Sequence, residues 1–144
     1  MKKYLVFPLA FLLLAGCAVN SASQKRSVTT EVQQIKTKMF DDIPVYPGFK
    51  LIPEKSFVYE SGNVKVGRLI FKGKSSINDL VNYYKNTLPE QGWEPISISI
   101  YGKDANLTYV TSDRVLQVRM TQGFSETTLI IQVGPRGELT SEVK

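Results

Sequence analysis

The sequence predicts an α+β fold: an antiparallel sheet made from a strand pair, one helix and a four-stranded meander, with the helix packed on one face. Three observations predict it. Ile77, Leu80, Val81, Tyr84 and Leu88 fall at i, i+3, i+4, i+7 and i+11, an apolar stripe of helical period. After Trp93 the period changes to two, in four short runs. The connections between those runs are too short to join anything but antiparallel neighbours.

The folded region begins at Asp41. Residues 41–48 hold Pro44 and Pro47, which cannot donate to a ladder, so this stretch runs extended over the surface and turns at Pro47-Gly48. Residues 56–60 and 64–72 form the strand pair, joined by Ser61-Gly62-Asn63, where glycine and asparagine tolerate the backbone of a hairpin turn. Ser76 with Asp79 makes a capping pair at the helix start, and Pro89 and Gly92 stop the helix. The meander follows as Ile96/Ile98/Ile100, Leu107/Tyr109, Leu116/Val118/Met120 and Leu129/Ile131/Val133. Alternation assigns these apolar residues to the buried face. Tyr84 lies on the helix stripe, whereas Tyr83 projects about 100° away, toward solvent. The tail, residues 136–144, is polar and frayed.

Composition narrows the chemistry. The chain has 144 residues, no histidine and one cysteine, which excludes a Ser-His-Asp triad, a Cys-His pair, a histidine-ligated zinc and an internal disulfide. Asp41-Asp42 supplies paired carboxylates, but neighbours in an extended segment point apart and no third oxygen ligand is signalled nearby. Lys72-Gly73-Lys74-Ser75-Ser76 holds serine and lysine without a nucleophile elbow or an S-x-x-K pattern, and glycine-rich phosphate loops are missing. Gly92-Trp93 reads as a left-handed helix cap whose aromatic residue packs back, more than as a ligand platform. No enzyme, metal or cofactor is expected from these residues.

The N-terminus carries the most specific signal. Residues 1–17 begin with Lys2-Lys3, continue through an apolar run interrupted by Pro8, and end in small residues at Cys17. The run is shorter than the roughly 20 residues a spanning helix needs, so it reads as an export signal. Leu14-Ala15-Gly16-Cys17 matches the lipobox, and here the chain resembles bacterial lipoprotein precursors. That resemblance implies cleavage between Gly16 and Cys17 and acylation of Cys17, which fits a lone thiol in an exported chain. Two or three acyl chains suffice for stable anchoring, at about 0.8 kcal/mol per buried methylene. With Lys2 and Lys3 removed the net charge falls from +5 to +3, too mild to argue for nucleic acid. Residues 17–40 then form the lipidated N-terminus and a polar tether, with a short helical turn expected over 31–40. Ala18 follows the cysteine; resemblance to enteric lipoproteins implies outer-membrane sorting, facing the periplasm, in a source with two membranes.

The domain over residues 41–135 is similar to a group of uncharacterised bacterial lipoprotein domains. The resemblance rests on Ile43-Pro44-Val45, Pro47-Gly48-Phe49, Ser56-Phe57, Val66-Gly67-Arg68-Leu69, Tyr83-Tyr84, Leu88-Pro89, Gly92-Trp93 and Val133-Gly134-Pro135. It implies no reaction or substrate. A looser, architectural likeness is to sheet-and-helix domains of outer-membrane assembly lipoproteins. The expected function is a lipid-anchored, non-catalytic envelope protein whose domain binds another envelope component. The alternative is a small-molecule or lipid carrier using the space between helix and sheet, and an enzyme comes third. Val45, Tyr46 and Phe49 are the expected partner contacts, because Pro44 and Pro47 hold them on an extended segment at small entropic cost. Their other reading is closure of the core.

Overall fold

Every pair of strands in the structure runs antiparallel, and the chain reverses direction through short turns. The computed structural model describes residues 40–137. Gly16, Cys17, the tether up to residue 39 and the tail beyond residue 137 lie outside the described residues. The elements are β1 (Lys50–Leu51), a 3-10 turn (Pro53–Lys55), β2 (Phe57–Ser61), β3 (Val64–Gly73), α1 (Ile77–Glu90), β4 (Glu94–Tyr101), β5 (Asp104–Val110), β6 (Arg114–Gln122) and β7 (Thr127–Pro135). Among the described residues, one helix and a seven-stranded antiparallel sheet make this an α+β protein.

Strand order is β1-β3-β7-β6-β5-β4, and β2 also pairs with β3. The two short strands share one edge of β3, with Leu51 opposite Phe71 and Phe57 opposite Arg68. β1 was not expected, because two residues leave no alternation to read. β3 and β7 close the sheet through seven registered pairs, from Gly67↔Val133 to Gly73↔Thr127.

Local chemistry explains the helix ends. The Asp79 amide donates to Ser76 Oγ at 3.1 Å, and that hydroxyl donates to Asp79 Oδ2 at 2.7 Å. Pro89 does not stop the helix, contrary to the sequence expectation, since in the last turn its missing N–H forfeits a single bond. Gly92 does, at φ +88°, where Trp93 N–H donates to Leu88 O and Gly92 N–H to Pro89 O.

Register builds the core in rows. Leu69, Ile131, Val118 and Leu107 form one row across β3, β7, β6 and β5, and Phe71, Leu129, Met120 and Ala105 form the next. All are buried, together with Leu80, Val81, Tyr84 and Leu88 of α1. Both rows reach β4, at Ile98 and Ile100, and there burial fails: Ile96, Ile98 and Ile100 are 59, 39 and 50% exposed. The expected burial of this stripe is corrected by strand order, because β4 is the sheet edge. Phe40, read as the end of the tether, is also part of the core.

Candidate functional site

The segment leading into β1 lies against the domain instead of standing away from it. Val45, Tyr46 and Phe49, the expected contacts, are each half-buried and packed on the core. Tyr46 meets Phe49 edge-on at 5.6 Å between centroids and Tyr83 at 5.0 Å, and Tyr83 meets Tyr84 at 5.1 Å. The Tyr83 hydroxyl donates to Val45 O at 3.3 Å, so Tyr83, expected toward solvent, is held under this segment. Gly73 makes room for the Phe49 ring, since a Cβ there would come within 2.5 Å of it. Burial, and then the neighbouring Tyr46, raise the Tyr83 pKa.

Asp42 has a partner far along the chain. Its carboxylate takes a forked contact from Arg114, Nη2 to Oδ2 at 2.6 Å and Nη1 to Oδ1 at 3.4 Å. The Arg114 guanidinium lies 4.8 Å from the centre of the Trp93 ring, and Trp93 Nε1 donates to Asp42 O at 3.1 Å. Cation, ring and carboxylate thus lock the incoming chain to the start of β6. The Asp41-Asp42 pair is therefore half committed to structure, and Gly92-Trp93 is a cap with its ring buried. Among the described residues no group of three or more His, Cys, Asp or Glu could hold a metal, and no helix is long and apolar enough to cross a membrane.

Two buried hydroxyls stand out inside. The Tyr109 hydroxyl has no hydrogen-bond partner, and burial raises its pKa. The Tyr84 hydroxyl is also pushed up, first by burial; the nearby Tyr46 backbone, which does not reach good hydrogen-bond geometry, acts in the opposite direction. Both belong to the hydrophobic core and read as packing residues.

The opposite face of the sheet is where unexplained side chains gather. Phe57 and Tyr59 pair with Arg68 and Val66 on the face away from Leu69 and Phe71, and Val64 continues that line. They are 55, 59 and 48% exposed. Arg68, Lys72 and Arg119 are exposed on the same face, while its Asp104 is half-buried and accepts from Thr121 Oγ1 at 2.7 Å. Asn106 Oδ1, also on this face, has no hydrogen-bond partner. The result is an apolar corner with Arg68 beside Phe57, and with Lys72 and Arg119 farther along the same face. Sequence reading missed it, although consecutive apolar residues at 57, 58 and 59 in a period-two strand place apolar groups on both faces.

In comparisons with protein-family models, with curated proteins and with solved structures, the chain matched none. The class defined here is therefore an architectural one, among the described residues one helix and a seven-stranded antiparallel sheet with apolar and charged side chains exposed on one face. Function must be argued from those side chains.

Proposed function

We propose that this is a lipid-anchored, non-catalytic envelope protein whose domain binds another envelope protein through the open face of its sheet. The observation that carries the reading is the corner of Phe57, Tyr59 and Val64 beside Arg68, with Lys72 and Arg119 farther along the same face. Aromatic and arginine side chains anchor protein interfaces, and scattered exposed apolar residues do not usually line up on adjacent strands. The cations select a partner surface that carries carboxylates. The export signal and lipobox of residues 1–17 supply the address, Cys17 the anchor, and residues after it the tether.

The carrier reading has less support. The space between helix and sheet is filled by Trp93, Tyr84, Tyr109, Leu80, Leu88 and Leu107, each under 2% exposed. The test is crosslinking in membranes followed by affinity purification, comparing the natural chain with a Phe57→Ser, Tyr59→Ser double variant. The reading predicts a partner that the variant loses while its urea unfolding is unchanged. Undiminished recovery of the same partner would contradict it.

A further inference from the structure

We infer that β4 pairs with β4 of a second copy of this chain, antiparallel about a two-fold axis at Ile98, to make one continuous sheet. The two edges of the sheet differ in kind. At one edge β1 and β2 are short, broken by the Pro53–Lys55 turn, and charged at Lys50, Glu54, Lys55 and Glu60, which is how natural edges discourage further pairing. The other edge is β4, eight residues long and exposed at every one. From Pro95 to Tyr101 it carries no charge. A bulge between Pro95 and Ser97 is its single irregularity.

The outward backbone is in the right phase for such pairing. Tyr101 faces Asp104 across the two-residue turn Gly102-Lys103, with Gly102 at φ +59°. Residues flanking such a turn exchange both hydrogen bonds with each other, and the pattern then alternates along the strand. Ser99 thus bonds inward to β5, while Ile98 and Ile100 turn their N–H and C=O groups away from the sheet. Their side chains share the face of Leu107 and Ala105, beyond the part that α1 covers.

The sequence of β4 selects the occupant. Ile96-Ser97-Ile98-Ser99-Ile100 reads the same in both directions about Ile98. Antiparallel pairing there sets Ile98 against Ile98 of the second copy, Ile96 against its Ile100, and Ser97 against its Ser99. Each apolar residue meets an apolar one and each serine a serine, the self-complementarity that a two-fold interface requires. Glu94 of each copy comes beside Lys103 at the turn of the other, so the charges at the two ends attract. The axis is perpendicular to the sheet, which puts both helices on one side and both open faces on the other. The isoleucines of the two copies then fill the strip between the helices. This inference is independent of what the open face binds.

The test uses the full chain, purified from membranes in mild detergent. Sedimentation should show a dimer. Ile98→Lys alone and Ile98→Glu alone, each placing like charges opposite one another, should lower the dimer association constant about tenfold or more, and mixing the two variants should restore it. Oxidising a mixture of Ser97→Cys and Ser99→Cys chains should give mainly the mixed disulfide dimer, which reads the register directly. A natural chain that stays monomeric at high micromolar concentration overturns the inference. So does a dimer indifferent to Ile98→Lys, or a photo-crosslinker at position 98 that captures a different protein and never a second copy.

Discussion

Replacing Tyr109 by phenylalanine removes a buried hydroxyl that has no partner, and the consequence depends on pH. Near neutrality the group is uncharged in both states. An unsatisfied buried polar group costs about 1–3 kcal/mol of desolvation, so Tyr109→Phe should be neutral or stabilising, where an average core change destabilises. At high pH the sign of the linkage is fixed by the direction of the shift. Burial raises the hydroxyl's pKa above its ordinary 10.0, so above pH 10 the unfolded chain releases a proton that the native state keeps. Stability therefore falls as pH rises from 10 toward the raised native value. At pH 11 the loss from this one group has an upper limit of about 1.4 kcal/mol, set by one proton released only by the unfolded state. The variant lacks that loss. Urea unfolding followed by the fluorescence of Trp93, the single tryptophan and itself buried, reads both effects. Tyr109→Phe should gain on the natural chain between pH 9 and pH 11. Parallel stability curves for the two chains, or a loss above 1 kcal/mol at pH 7, would refute the description of an unpartnered hydroxyl.

Three further outcomes follow from particular residues. Leu80→Ala, at a position with no exposed surface on the α1 stripe, should cost about 2–5 kcal/mol in urea unfolding. Gly73→Ala drives a methyl to within 2.5 Å of the Phe49 ring and should cost about 1–3 kcal/mol, whereas the same change with Phe49→Leu should cost less. Cys17→Ser should abolish metabolic labelling by a fatty acid and accumulate precursor; normal processing and membrane retention of that variant would remove the anchor from the account.

The parts of the fold legible in the sequence are those decided locally. Ser76 and Asp79 are three residues apart, Gly92 adjoins the helix it ends, and the α1 stripe repeats within one element, so propensity and period suffice. Apart from Pro89, which the last turn of α1 tolerates, what was misread depends on which distant segments come together. Ile98 has the same alternation as Val118, yet Val118 lies between β5 and β7 and is fully buried while Ile98 is at an edge. Tyr83 is off the helix stripe, and the segment around Val45 and Tyr46, folding over it, takes it partly out of water. The pairing of Asp42 with Arg114 spans 72 positions, and no local pattern announces it. The apolar corner of the open face escaped for the same reason, because β2 shows both faces only after β3 takes its place beside it.

The most direct measurement of the central claim is site-specific photo-crosslinking in intact envelopes, with the probe replacing Tyr59 on the open face and, separately, Lys85 on the exposed side of α1. The account predicts a discrete adduct to another envelope protein from position 59 and none from position 85. Equal capture at both positions, or none at 59, would contradict it.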